Sequence, residues 1–251
     1  MTERDTRRVG GVAGPTTTGH GSRGRDTVLD VGCRPVRLVL ASASPARLAI
    51  LRGAGVEPLV EVSEVDEDAL LAELGDASAV DTVIALALAK ARTVAARVAT
   101  VEPDCVVIGA DSMLLLEGEL VGKPGSVDAA RGRWDQMAGS TAELLTGHAL
   151  VRVSGGTTGQ EVAGHARTAV AFSVPTPGEL EAYLASGEPL AVAGAFTLDG
   201  RGGWFVEGVE GDPSNVVGLS LPLTRRLLAE IGVGIDALWA SAAPGGAAPV
   251  R

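Results

Sequence analysis

Short apolar runs recur along the chain from residue 37 onward and predict the strands of a sheet. RLVLAS (37–42) is one such strand, and CVVIGA (105–110) is a continuous apolar run suited to a strand buried on both faces. PLVEVSEVDED (58–68) alternates between apolar and polar residues, as in a strand that runs into an acidic loop. Later in the chain, residues 143–174 indicate strands around a Gly-rich hairpin, and residues 194–220 indicate short strands and turns.

Helix signals stand between these runs, so the strands and helices interleave. Ser44 followed by Pro45 is typical of an N-cap with proline at the first helical position, and the glycines at 53 and 55 end that helix. The further predicted helices are 81–98 with Asp81 as its cap, about 127–138 ending at Gly139, one from Pro177 with a capping box from Thr176 to Glu179, and LPLTRRLLAEIGV capped by Ser220.

This pattern predicts an α/β protein with a mixed sheet, because some of the strands are linked by hairpins rather than by helices. Residues 1–36 are rich in Gly, Arg and Thr with few apolar positions, which predicts a disordered extension. Residues 37–240 form the predicted domain, and residues 241–251 a flexible tail.

Composition narrows the setting of this domain. Aromatic residues make up only 3% of the chain, so the core is expected to consist of Ala, Val and Leu. The net charge of −10 argues against a nucleic-acid groove or an anionic membrane as partner. No apolar stretch is long enough for a membrane span, and the two cysteines show no disulfide framework or metal spacing. We expect a soluble, cytoplasmic protein.

LASASPAR (40–47) is the first candidate site. The N–H groups at the start of a helix form an anion site, which the hydroxyls of Ser42 and Ser44 and the guanidinium of Arg47 would reinforce. On this local pattern alone an ordinary capped turn with a solvated Arg47 is the more common outcome.

Asp111 is the second candidate, because an apolar strand delivers its carboxylate to the end where ligands gather in open α/β sheets. It suits either Mg²⁺ binding or proton transfer from water, although a simple turn cap is as common. Glu67, in an acidic loop, is a weaker candidate for a metal ligand, since most such loops are only solvated.

Lysine is scarce: only Lys90 and Lys123 are lysines among 21 basic residues. Lysine is a compact point charge and arginine a wide planar fork, so a narrow phosphate site can require lysine. Chance survival in an Arg-biased chain is the alternative. Together the candidates supply what nucleoside triphosphate hydrolysis needs, namely cations, helix N–H groups and a carboxylate to activate water.

The same segments, in the same order, resemble the Maf family of nucleoside triphosphate pyrophosphatases. The matching motifs are LASASPAR, VDE (65–67), LALAKA (86–91), VVIGADS (106–112), GKP (122–124), SGEPLAVAGAF (186–196) and EGDPSNVVGLSLPL (210–223). The resemblance implies an elongated Maf/ITPase-like α/β fold, with a mixed central sheet flanked by helices and two lobes with a cleft between them, often as a homodimer.

The resemblance also implies metal-dependent cleavage between the α- and β-phosphates, giving a nucleoside monophosphate and pyrophosphate. Asp111 would accept the proton of the attacking water, and Glu67 with Asp111 would hold the divalent cation, Mg²⁺ or Mn²⁺. Five residues would bind the substrate phosphates: Ser42, Ser44, Arg47, Lys90 and Lys123.

Three positions that resemble the specificity determinants of the family depart from its pattern: Ala46, Ser112 and Asp199. The usual DKAGAY motif is AVAGAF here, which removes a charged pair at Ala191 and Val192. Members of the family divide into a dTTP/UTP type and a 7-methyl-GTP type, and the resemblance assigns neither substrate class to this chain. The alternative hypothesis is a nucleotide-binding regulator of cell division or septum formation with weak or no turnover.

Overall fold

The computed structural model describes residues 35–241. The predicted extension and tail lie almost entirely outside this range, and their boundaries stay predictions. Val36 is already buried and donates its backbone N–H to the carbonyl oxygen of Ala237, at 3.1 Å. No helix within the described range is long and apolar enough to cross a lipid bilayer.

The architecture is a mixed seven-stranded sheet flanked by helices, as the pattern predicts. The strands are β1 Arg37–Leu40, β2 Leu59–Val60, β3 Cys105–Leu116, β4 Glu119–Val121, β5 Thr141–Ser154, β6 Thr157–Phe172 and β7 Val206–Glu210. Their order is β2-β1-β3-β5-β6-β7, with β4 paired to β3. The β1 strand is parallel to β2 and β3, and the other pairs are antiparallel.

The helices are α1 Pro45–Gly53, α2 Glu67–Leu74, α3 Ala79–Val98, α4 Val127–Met137, α5 Pro177–Ala185, α6 Pro213–Val217, α7 Leu221–Glu230 and α8 Ile235–Ser241. Short 3₁₀ turns occupy Glu188–Ala191, Ala193–Ala195 and Arg201–Phe205. The predicted caps Ser44 and Ser220 are confirmed, as is the capping box between Thr176 and Glu179.

Several local predictions are wrong. The strand predicted over 105–110 does not end before Asp111 but continues to Leu116 as β3. The strand predicted over 58–68 is only two residues long, and α2 begins at Glu67, because Asp66 accepts the Ala69 N–H and so caps a helix. The cap of α3 is Ser78, whose hydroxyl oxygen accepts the Asp81 backbone N–H at 3.2 Å, so Asp81 lies inside the first turn. Helices α6 and α8 were not predicted, and α6 lies in the segment for which short strands and turns were expected.

Two lobes share the long strands of the sheet. In the first lobe, aliphatic side chains pack on both faces of β3, with Ile108 on one face and Val107, beneath α3, on the other. The second lobe holds five of the chain's seven aromatic residues, packed around Trp134. The expectation of a core without aromatic side chains is therefore wrong for this lobe, because the few aromatic residues are concentrated there.

The edge of β3 is open where the two lobes meet. β3 pairs with β1 as far as Ile108 and with β4 only from Leu114 onward. The intervening residues 109–113 therefore have a paired neighbour on one side only, that of β5. This gap in the sheet is the floor of the cleft between the lobes.

Helix α3 lies close against β3 and β5 because both strands carry a glycine beneath it. A Cβ at Gly109 would come within 2.3 Å of the Ala87 carbonyl oxygen, and one at Gly147 within 2.0 Å of the Val83 carbonyl oxygen. Neither helix carbonyl can move without loss of the helix geometry. Only glycine at these two positions allows the observed contact between helix and sheet.

We predict that Gly147→Ala lowers the free energy of unfolding by roughly 1–3 kcal/mol, because the helix must shift away from the sheet. Urea unfolding measures the change. Gly132→Ala is the matched control, since its Cβ meets nothing within 4 Å in the exposed face of α4. The control should gain up to about 1 kcal/mol from helix propensity; an equally stable Gly147→Ala protein would contradict the contact.

Candidate functional site

Asp111 and Ser112 are consecutive residues of β3 and therefore point to opposite faces of the sheet. Asp111 shares its face with Val107 and Gly109, beneath α3. Ser112 shares its face with Ile108, toward α1. Both side chains line the cavity at the gap in the sheet. A ligand in this gap can therefore contact side chains from both faces.

On the α3 face, Lys90 joins two carboxylates. Its ammonium nitrogen lies 2.6 Å from Asp111 Oδ1 and 2.8 Å from Glu67 Oε1, while the side chains of Lys90 and Asp111 are only 8% and 10% exposed. Glu67, at the first turn of α2, is half-exposed, which places this end of the cluster at the cavity surface. The second oxygen of each carboxylate has no ion pair within residues 35–241 and can still accept a ligand.

On the other face, Arg47 is fixed by all three arms of its guanidinium. Nε donates to the Gly218 carbonyl oxygen at 2.7 Å, Nη1 to Ser42 Oγ at 3.1 Å and Nη2 to Ser112 Oγ at 3.0 Å. Burial lowers the pKa of Arg47, and the charges of Asp111 and Glu67 partly offset this effect. Arg47 is thus an oriented cation rather than a solvated one, which contradicts the simple capped-turn interpretation of LASASPAR.

The Ser42 hydroxyl can act toward a ligand only as a hydrogen-bond donor. Its oxygen accepts hydrogen bonds from Arg47 Nη1 and from the Ser44 backbone N–H, at 3.2 Å for the latter. With both acceptor positions occupied, its O–H is free to donate into the cavity. Ser44 similarly accepts from the Arg47 N–H at 3.4 Å as the cap of α1.

Lys123 reaches the cavity from a loop that is tied to the opposite wall. The carbonyl oxygen of the preceding Gly122 accepts hydrogen bonds from the Gly194 N–H, at 3.3 Å, and from Arg133 Nη1. Lys123 itself is exposed and forms no ion pair with another residue of the described range. Its ammonium group is therefore available to an anion in the cavity.

All ten residues singled out in the sequence lie around one cavity of about 560 Å³. They are Ser42, Ser44, Ala46, Arg47, Glu67, Lys90, Asp111, Ser112, Lys123 and Asp199. Ala191 and Val192, where the charged pair is lost, line the same cavity, beside apolar residues such as Phe196 and Leu198. The cavity thus has a polar, cationic part and a largely apolar part that ends at the exposed carboxylate of Asp199. The roles assigned to these residues stay predictions.

The donor set fits a divalent cation held jointly by protein and substrate. Within the described residues no group of three or more His, Cys, Asp or Glu side chains forms a metal cluster. Asp111 and Glu67 are nevertheless brought to one point, and Mg²⁺ commonly takes one or two carboxylates together with substrate phosphates and water. A complete protein cage is not required for this type of site.

The fold and the site define an α/β protein with a cleft that carries an oriented arginine, two lysines and a carboxylate pair. The chain belongs to the Maf family, because the family model described as Maf-like protein matches residues 37–231. The family that the sequence motifs resemble is confirmed.

Close relatives share most of the chain. A protein of Saccharopolyspora erythraea named nucleoside triphosphate pyrophosphatase is 59% identical over 205 residues, which is 81% of this chain and 97% of the relative. One of the same name from Rhodococcus jostii is 60% identical over 81% of this chain and 96% of its own. A solved nucleoside-triphosphatase / dITP/XTP pyrophosphatase of Mycobacterium abscessus matches at 19% identity, over 64% of this chain and 87% of its own, with a TM-score of 0.32, which supports no argument.

Sequence reasoning missed three contributors to the site. Thr146 contacts Ser112, and its signal was a polar residue inside the apolar run of β5. Arg133 holds the Lys123 loop, but its helix position shows no distinguishing pattern. Gly218 contributes only a backbone carbonyl oxygen, which no side-chain motif can reveal.

His148 anchors the segment that carries the Gly218 carbonyl group. It is fully buried, and its Nε2 accepts the Ser220 N–H at 2.8 Å, so the proton lies on Nδ1 and is donated to the Thr146 carbonyl oxygen. Burial lowers the pKa of His148 to about 4. The imidazole is therefore neutral in the folded protein at neutral pH.

We predict that stability falls as the pH drops from about 6.5 toward 4, because the unfolded chain binds the His148 proton first. Between pH 7 and 5 the loss from this group is about 2 kcal/mol. Guanidinium unfolding of the wild type and of His148→Gln at both pH values isolates the effect, since other titrating groups are common to both. Equal pH dependence in the two proteins would rule out this assignment.

Proposed function

We propose that this protein is a nucleoside triphosphate pyrophosphatase, which cleaves the bond between the α- and β-phosphates to give a nucleoside monophosphate and pyrophosphate. The observation that carries the proposal is the Asp111–Lys90–Glu67 cluster, in which Asp111 and Lys90 are buried, at the floor of a cavity that also holds Arg47 and Lys123. The names of the relatives at 59–60% identity support it.

The residues at the floor of the cavity have different roles in the proposed reaction. Asp111 takes a proton from the attacking water, whose oxygen forms a new bond to phosphorus as the bond to the bridging oxygen breaks and pyrophosphate leaves. Lys90 keeps the Asp111 carboxylate in place and adds positive charge at the floor. Asp111 and Glu67 would hold Mg²⁺ or Mn²⁺, which would neutralise phosphate charge and polarise the reacting bond when bound.

The phosphate chain would be held by Arg47, Lys123, Ser42 and Ser44. Arg47 offers a fixed fork, Ser42 an O–H with no other acceptor, and Lys123 a movable charge from the opposite wall. The N-terminus of α1 adds the Ala46 N–H alone, because Pro45 has no N–H and that of Arg47 bonds the Ser44 hydroxyl. Cations therefore approach the phosphates from both sides of the cleft, which is the arrangement that charge neutralisation requires.

The nucleoside end of the cavity supports a nucleotide preference that differs from, or is broader than, that of the dTTP/UTP and 7-methyl-GTP types of the family. Ala46, Val192 and Leu198 offer no hydrogen-bonding side chain there, and Asp199 is an acceptor only. A modified or non-standard base is accommodated by apolar surface without the loss of a specific partner. A cytoplasmic location and a homodimer are part of the same proposal.

A nucleotide-binding regulator of cell division is the second candidate. It is favoured by the uncharged side chains at Ala46, Ala191 and Val192, all of which line the cavity. A protein of this kind binds nucleotide tightly and turns it over slowly or not at all.

Incubation of the pure protein with Mg²⁺ or Mn²⁺ and a panel of standard and modified nucleoside triphosphates tests both candidates. Separation of monophosphate, diphosphate and pyrophosphate identifies the bond that breaks. Monophosphate with pyrophosphate is the expected result, and its absence from every nucleotide would overturn the proposal. Tight binding without products would instead support the regulator, and omission of the metal tests the metal dependence.

We predict that Asp111→Asn lowers kcat by about 100-fold or more, because the amide accepts no proton from water. The fall is measured under saturating substrate with the best nucleotide of the panel. Asp135→Asn, an exposed acid on α4 away from the cavity, is the control and should keep wild-type turnover. Near-normal kcat in Asp111→Asn would refute the role of Asp111 as base.

A further inference from the structure

A closed ring of hydrogen bonds links the Arg47 guanidinium to the segment 215–218. Nε bonds the Gly218 carbonyl oxygen directly, while Nη2 bonds Ser112 Oγ, which lies 3.0 Å from Thr146 Oγ1. Thr146 Oγ1 then donates to the Asn215 carbonyl oxygen at 3.5 Å, and the Gly218 N–H donates to that same oxygen at 3.0 Å. The ring joins α1, β3, β5 and α6.

Thr146 is the link that closes this ring. It is fully buried, and its hydroxyl is the contact that Ser112 Oγ makes besides Arg47 within residues 35–241. Without that hydroxyl, the Ser112 side chain has one partner instead of two and is free to change its rotamer. Nη2 of Arg47 then loses an acceptor at a fixed position.

The hydroxyl protons of the ring can run in two directions. If Ser112 donates to Thr146, the proton of Thr146 goes to the Asn215 carbonyl oxygen. If Thr146 instead donates to Ser112, its single proton no longer goes to the Asn215 carbonyl oxygen, so the ring is open at that point, and the proton of Ser112 is released toward the cavity. In both cases Thr146 keeps Ser112 Oγ in place as an acceptor for Arg47. The choice of donor therefore decides whether the Ser112 proton faces the cavity, but it does not change the position of Arg47.

We propose that Thr146 is a positioning residue that sets the orientation of Arg47 through Ser112. The proposal rests on the proposed role of Arg47 as a ligand of the substrate phosphates. In this proposal Ser112 does not act by contacting the nucleobase of the substrate. Its hydroxyl oxygen accepts a hydrogen bond from Arg47, so the residue at this position acts on the substrate mainly through the arginine. Thr146 makes no contact with substrate itself, since its side chain is fully enclosed.

Thr146→Val tests the proposal because valine keeps the β-branched shape that suits a strand and removes only the hydroxyl. The Asn215 carbonyl oxygen keeps its bond from the Gly218 N–H, so no buried acceptor is left unpaired. The readout is the Kd of the α,β-methylene analogue of the best substrate, by calorimetry, together with KM and kcat. We expect Kd and KM to rise roughly 3- to 10-fold, the range for one weakened hydrogen bond, with kcat nearly unchanged.

Three variants distinguish positioning from general damage. Thr146→Ser restores the hydroxyl and should return Kd close to the wild-type value. Thr82→Val removes a buried hydroxyl that bonds only the Ser78 carbonyl oxygen, and should leave Kd unchanged. Ser112→Ala should raise Kd as Thr146→Val does, and the double variant should lose no more than the larger single loss, because both break the same chain.

An unchanged Kd in Thr146→Val, additive losses in the double variant, or a fall in kcat at constant KM would each overturn the proposal. If Thr146→Val does not fold, the other two variants still test the proposal. It would be overturned if Kd in Thr146→Ser stayed well above the wild-type value, or if Kd in Ser112→Ala were unchanged. A wild-type protein that neither binds the analogue nor releases pyrophosphate would instead defeat the proposed function itself, so the two failures are distinguishable.

Discussion

The contact between α3 and the sheet is the constraint on which the floor of the site depends. Gly109 and Gly147 let the helix backbone approach the strands so closely that a methyl group at either position meets a helix carbonyl oxygen. This approach brings Lys90, near the middle of α3, within 2.6 Å of Asp111 on β3. A helix held farther out would leave the Asp111 carboxylate buried without its ammonium partner, which is a costly arrangement. The backbone packing and the ion pair therefore require each other.

Strand alternation then divides the chemistry between the two faces of the sheet. Odd positions of β3 face α3 and deliver the carboxylate, while even positions face α1 and deliver Ser112 to the arginine. Such a division normally separates two groups by the thickness of a sheet. Here the pairing of β3 with β1 ends at Ile108 and its pairing with β4 begins only at Leu114, so a ligand can reach both faces through one gap. The gap is what turns two half-sites into one cavity.

The sequence carried the local features of this arrangement but not the distant pairings. The Ser44–Pro45 cap and the apolar first half of β3 follow from residue types alone, although β3 continues through Asp111 to Leu116 rather than ending before it. Helix α2 was missed because Asp66 caps a helix only when the chain before it has already turned, and the cap of α3 was placed at Asp81 because Asp and Ser78 compete as caps within one turn. Thr146 was missed for another reason, since its partner lies 34 residues away and the pairing of β3 with β5 decides it.

The residues that line the cavity differ in how firmly they are tied to one another. Arg47 is anchored by three acceptors on three separate segments, and Lys90 by two carboxylates, so a change at any one of these positions disturbs the others. By contrast, Ala46 and Val192 carry no polar side-chain group, and the Asp199 side chain has no hydrogen bond or ion pair within residues 35–241. Coupled residues preserve one arrangement, while uncoupled ones are free to vary. Ser112, which accepts a hydrogen bond from Arg47 and also lines the cavity, is the one residue of the altered set that belongs to the coupled group.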